Sequence, residues 1–220
     1  MRATLMFPRT QEEGEYLEKL CHFAARRARA LVSHEALWAE VEGATPEKRA
    51  HFLHYILQEE WSLDVAEMTL FVYDIEGVPS WLITELLRHR FIARDFSFEQ
   101  RSKRAIQGQR IPVLTDMGDE GGQGTVIMQE LARHSIEAMT ELRHLGYPAQ
   151  KLRYASLEGS ETGLVCAANA RALHHLFTLR GGQEIGGDGK AAPEFQELVR
   201  QMWGQAKAVC PNLFATLLKS

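Results

Sequence analysis

A chain of 220 residues with 45% apolar residues can fill a sizeable core and suits one domain, or one domain with a helical appendage. Charged residues make up 25% and the net charge is −4, which argues against a general nucleic-acid binder. No apolar run approaches the roughly 20 residues of a membrane helix.

Arg2 to Phe7 reads as a strand stopped by Pro8. It runs into a charged helix, so it is no signal peptide, and a cytoplasmic protein is expected. Gln11 to Val32 reads as a helix with Leu17, Leu20, Phe23 and Ala24 on one face. Thr45-Pro46 marks a helix start, with Thr as cap and Pro at the first helical position. That helix runs to about Glu60 and turns Phe52, Leu53, Ile56 and Leu57 to the core. Glu67 to Ile75 has the Thr, Val, Phe and Tyr content of a strand. Pro79 opens a helix to about Arg90. Asp116 to Gly124 reads as a mobile loop, and Val126 to Leu145 as a long amphipathic helix stopped by Gly146 and Pro148. Ala149 to Ser156 reads as a short helix and Leu164 to Ala168 as a short strand. Ala170 to Arg180 is a helix, Gly186 to Gly189 a loose segment, Pro193 to Val209 a helix, and Pro211 starts a last short one. Few strands among many helices, with no repeat and no dividing linker, predict a single α+β domain over residues 1–220.

The charge is unevenly spread. Arg88, Arg90, Arg94, Arg101, Lys103, Arg104 and Arg110 face only Asp95 and Glu99 in their own stretch of chain. A basic segment in an acidic protein points to a local anionic ligand rather than a long polyanion, unless it is simply a solvated face. Arg88-His89-Arg90 at a helix end can grip phosphate oxygens with planar forks of donors. Ser102 and Arg104 are two apart, so on an extended segment they share one side and can meet one phosphate. Cys21, Cys166 and Cys210 show no metal or disulfide spacing, and none has a basic partner in sequence. Cys166 sits in an apolar segment and reads as inert core.

The pair Arg88-His89-Arg90 and Ser97 to Arg104 (SFEQRSKR) resembles the flavin-dependent thymidylate synthase family. That family carries Arg-His-Arg, seven residues, a Ser, and an Arg two places later. Here eleven residues separate Arg90 from Ser102, so four extra residues stand around Phe91 to Arg94. A second block supports the resemblance: Asn169-Ala170-Arg171, a helix, Leu179-Arg180, then Gln183-Glu184-Ile185. Asn169 and Arg180 are about three turns apart on one line of that helix. Each also has a simpler reading, Asn169 as an N-cap and Arg180 as a partner of the helix dipole. Arg153 and Ala24-Ala25-Arg26 are weaker matches. A third block departs. Where the family has His-x-Ser/Thr-x-x-Glu-His before the central strand, this chain has Ser62, Asp64, Glu67 and Met68. Only Glu67 is kept. Glu85 stands where many members have Gln beside the nucleotide.

The resemblance implies a flavin-dependent thymidylate synthase-like fold, with a small central sheet and flanking helices. It implies methylation of dUMP at carbon 5 with FAD, NADPH and methylenetetrahydrofolate, and a homotetramer with active sites at subunit interfaces. Ser102 and Arg104 would hold the nucleotide phosphate with Gln100 and Arg101, and Arg153 would help hold the nucleotide. Arg180 would face the pyrimidine. Arg88, His89 and Arg90 would bind flavin, Arg88 also touching substrate, and Asn169, Arg171 and His175 would contact flavin from a neighbouring subunit. No metal is implied. Three alternatives stay open: a sibling enzyme acting on UMP or a similar nucleotide, a nucleotide-binding protein that has lost flavin, and a small RNA-binding module. The acidity and the lack of interleaved stacking aromatics count against the last.

Overall fold

Pro8 ends the first strand, β1 (Arg2–Phe7), and Thr10 starts the first helix, α1 (Gln11–Arg27). The Thr10 side chain accepts from the Glu13 N–H while the Glu13 carboxylate accepts from the Thr10 N–H, a reciprocal cap. The chain is described by a computed structural model over residues 1–88, 96–100, 112–119 and 121–215, with the backbone alone at 96–98.

α1 ends before Val32, and a helix absent from the sequence reading follows, α2 (His34–Glu42). It is started by Ser33, whose hydroxyl accepts from the Ala36 N–H. Leu31 and Val32 are exposed between the two helices. With no Gly or Pro after Arg27 to mark the stop, the expected helix ran on to Val32. Thr45 caps α3 (Pro46–His54) as expected, and the winding continues as a π-turn over Tyr55–Glu59. Leu53, Ile56 and Leu57 are buried; Phe52 is half-buried.

The expected strand start at Glu67 is instead a 3-10 turn, Leu63–Met68, and β2 spans Phe71–Pro79. The turn is closed by the Thr69 hydroxyl, which donates to the Ala66 carbonyl at 2.8 Å. α4 (Ser80–Leu87) follows Pro79, while the expected end at Arg90 lies outside the described residues. β3 is Phe96–Gln100. α5 (Gln123–His144) starts ahead of Val126 because Asp119 accepts from the Gly124 and Thr125 N–H groups and caps it early. α6 (Ala149–Leu152) and a 3-10 turn (Arg153–Ala155) fill the expected short helix, and β4 (Glu161–Ala168) is longer at its start than expected. α7 (Ala170–Arg180) and α8 (Pro193–Val209) match expectation. Pro211 opens a turn, not a helix, within the described residues. Gly186 to Gly189 is not loose: the N–H groups of Gly187, Asp188 and Gly189 donate to the carbonyls of Gly182, Thr178 and Gly181, and Gly186 takes the left-handed φ of 88° that this closure needs.

The small antiparallel sheet has the order β1-β2-β4-β3, so the fold is α+β as expected. The residues cluster into two compact units.

The first unit comprises Met1–Ile75, His89–Glu99 and Val165–Ser220. Its core takes Phe71, Tyr73 and Ile75 from β2, Leu173, Leu176 and Phe177 from α7, and Phe195, Leu198 and Met202 from α8. The buried Tyr73 hydroxyl donates to the Met202 carbonyl at 2.9 Å. β1 is an edge strand, and α8 covers its open groups. Gln201 and Gln205 accept from the Ala3 and Leu5 N–H groups, and Gln205 donates to the Ala3 carbonyl. α1 lies so close to the end of α8 that a Cβ on Gly14 would meet the Val209 carbonyl oxygen at 1.9 Å. The buried Glu18 carboxylate accepts from the backbone and side-chain amides of Asn212, fixing the C-terminal turn to α1; burial nonetheless pushes its carboxyl pKa up.

The second unit comprises Glu76–Arg88 and Gln100–Leu164. In it α5 packs on α6 and the turn after it, and the Ser80 hydroxyl and N–H both donate to the Ser160 carbonyl.

Two expectations follow from this packing. The buried His174 ring is stacked on Phe214 and bonded through Nε2 to the Leu213 carbonyl at 2.8 Å; burial pushes its pKa down to about 4 from 6.5. The folded chain then binds fewer protons than the unfolded one. The contribution of His174 is full above about pH 6.5 and is lost as pH falls towards 4. His22, stacked on Phe52 and pushed down to about 4 by burial and then by Arg49, acts in the same direction. In urea titrations, wild type should lose about 2 kcal/mol more than His174→Gln between pH 7 and pH 5. Equal losses would show that His174 does not titrate in this way. All three cysteine thiols are buried, and burial pushes Cys21 and Cys166 up to about 12 and Cys210 higher still. A colourimetric disulfide reagent at pH 8 should therefore react with no thiol until urea is added. One fast equivalent in the native protein would mean an activated cysteine.

Candidate functional site

In the first unit, α7 presents the residues singled out in its sequence block. Asn169 is the N-cap, its Oδ1 accepting from the Ala172 N–H at 2.8 Å, so the simpler reading of this residue is realised. The cap leaves α7 starting where the sequence block starts, with Arg171 in its first turn and the positive end of the helix dipole beside it. His175 is one turn further on and half-buried. Arg180 is the last residue of α7, and its guanidinium lies over the Phe195 ring, 5.4 Å from the centroid. A cation held on an aromatic face in this way is fixed in position and keeps its charge.

The departing block packs on this same helix. The Thr69 hydroxyl, which closes the turn onto Ala66, also accepts from the Ala170 N–H at 2.8 Å. Glu67, the one family residue kept there, forms an ion pair with Arg171 through Oε1 and Nη1. The structure thus brings the turn at 62–69 onto the first residues of α7. Ser62 precedes the 3-10 turn, Asp64 lies in its first turn, and Met68 is exposed at its end. Sequence reasoning did not pair Glu67 with Arg171, since 104 residues separate them. It also passed over Trp61, which is 56% exposed and has a φ of 56°. A bulky residue in that region is uncommon, and a large exposed ring beside the departing block adds apolar surface there.

In the second unit, Arg88 is the C-cap of α4 and its Nη1 donates to Glu85 Oε1 at 2.6 Å. The carboxylate at 85 is thereby offset by a cation. Gln100 ends β3, and its Nε2 donates to the Thr162 hydroxyl at 3.5 Å. Arg153 is exposed on the 3-10 turn after α6. His89, Arg90, Arg101, Ser102 and Arg104 lie outside the described residues. Among the described residues no group of three or more His, Cys, Asp or Glu side chains is placed to hold a metal ion, and no helix is long and apolar enough to cross a membrane.

Comparison with known proteins places the chain among relatives of one family. The flavin-dependent thymidylate synthase of Haloarcula marismortui is 24% identical over 205 residues, covering 83% of this chain and 81% of the relative. That of Halobacterium salinarum is 25% identical over 199 residues, covering 80% and 78%. The crystal structure of a UMP/dUMP methylase, PolB, from Streptomyces cacaoi bound with 5-Br dUMP superposes with a TM-score of 0.76. Its sequence identity is 16%, and the match covers 100% of this chain and 96% of that one, so the fold is shared. The family model described as thymidylate synthase complementing protein, Thy1, matches residues 15–212. A match over that length spans both units, and the chain belongs to the Thy1 family of flavin-dependent thymidylate synthases.

Proposed function

We propose that residues 1–220 form a single-domain, cytoplasmic, FAD-dependent methyltransferase that places a methyl group on carbon 5 of a pyrimidine nucleoside monophosphate. The first candidate substrate is dUMP, with methylenetetrahydrofolate as one-carbon donor and NADPH as reductant. The observation that carries this reading is the family match over residues 15–212, which includes Arg88 to Arg104 and the α7 block.

The donor chemistry of the residues present fits a flavin nucleotide. α7 supplies a helix N-terminus, Arg171 lies in its first turn, and His175 follows one turn later. Glu67 adds negative charge to that face and is offset by Arg171. Asn169, Arg171 and His175, with Arg88, His89 and Arg90, would hold the group, which when bound supplies the hydride chemistry. The protein's share is then orientation and charge. Ser102 and Arg104, with Gln100 and Arg101, would hold the nucleotide phosphate, and Arg153 would steady the nucleotide. Arg180, held over Phe195, would meet negative charge that builds on the pyrimidine ring. A buried thiol with a raised pKa cannot serve as the nucleophile, which leaves Cys166 a core residue. The exposed apolar side chains Val126, Ile127 and Leu131 on α5 suit contact with a second copy, in keeping with a homotetramer.

One observation favours a second reading, a sibling that acts on UMP. Glu85 places a carboxylate beside Arg88. A carboxylate accepts hydrogen bonds only, so it suits the additional 2′-hydroxyl that UMP has and dUMP lacks.

Visible absorption of the purified protein, with and without added FAD, tests the flavin reading. Oxidised-flavin bands that shift on adding dUMP or UMP are expected, and the nucleotide that competes better names the substrate. A protein that holds no flavin under any condition would be a nucleotide-binding relative rather than an enzyme of this kind. Arg104→Ala should weaken binding of the preferred nucleotide by about 2–3 kcal/mol through loss of a charge-assisted contact. Unchanged affinity for both nucleotides would show that the phosphate is held elsewhere.

A further inference from the structure

We propose that Glu67 is a positioning residue for cofactor binding, fixing the guanidinium of Arg171 in the orientation that meets the flavin; this rests on the flavin reading above. The ion pair joins the turn Leu63–Met68 to the first turn of α7. Its side chains keep 37% and 48% of their surface in solvent. Exposed pairs of this kind contribute little to stability, because water screens them and two long side chains must be held still. The backbone beneath is already fixed without it. Thr69 bridges the Ala66 carbonyl and the Ala170 N–H, and Asn169 caps the helix. What the pair adds is the choice of one arrangement for a side chain that otherwise samples many. Glu67 Oε1 takes Nη1, one corner of a guanidinium that carries five N–H donors. An arginine so held retains donors for an anionic group and has already lost the freedom that binding would otherwise remove.

The test is FAD affinity measured by quenching of flavin fluorescence, alongside thermal unfolding of the same variants without FAD. Glu67→Ala should bind FAD about five- to ten-fold more weakly, with an unfolding midpoint close to wild type. Glu67→Gln, which keeps an acceptor oxygen but loses the charge, should fall between the two. The double variant Glu67→Ala with Arg171→Ala should be no weaker than Arg171→Ala alone, because Glu67 acts through Arg171. Two losses of affinity that add in full would overturn the inference, as would wild-type affinity in Glu67→Ala. A Glu67→Ala variant that unfolds early yet binds FAD normally would show a structural role only. If the wild-type protein itself binds no FAD, the flavin reading fails and this inference fails with it; the other outcomes overturn the inference alone.

Discussion

The hydroxyl of Thr69 closes the turn before β2 by donating to the Ala66 carbonyl, and it accepts the first N–H of α7. It is buried, so neither bond is shared with water. An α7 N–H left without a partner in that place would carry the full cost of desolvation. One side chain thus fixes where the 3-10 turn ends and where α7 begins. The neighbouring contacts depend on that placement: Glu67 reaches Arg171, and Asn169 sits outside the helix as its cap. Along the same helix, Phe177 enters the core and Arg180 comes to rest over Phe195.

Charge is managed by pairing in each unit. Arg171 has Glu67, and Arg88 has Glu85. Neither pair is deeply buried, so each holds its guanidinium without the penalty of stranding a charge in a dry interior, and the carboxylate engages only Nη1. The cations are held locally by carboxylates that orient them, and the net charge of the chain is set by residues elsewhere. The cysteines belong to the opposite category. Burial makes them poor thiolates, so the chemistry proposed here rests on oriented arginines and a cofactor.

The sequence by itself determined the elements whose signals are local. α7 and α8 stand where their caps, periodicity and terminal Gly or Pro put them, and Thr45-Pro46 started α3 because capping needs only near neighbours. The spacing of Arg88 to Arg104 and of Asn169 to Arg180 carried the family, since both blocks are short and contiguous. The tertiary structure decided what depends on contacts between distant residues. It ended the first helix at Arg27 rather than Val32, leaving Leu31 and Val32 exposed with no core beneath them, and added α2 beyond. It replaced the expected strand start at Glu67 with a turn held by Thr69, overriding strand propensity with a buried hydrogen bond. It also paired Glu67 with Arg171, joining the turn before β2 to the first turn of α7. Periodicity reports which face of an element is apolar; only the fold fixes which distant side chain lies opposite a given charge.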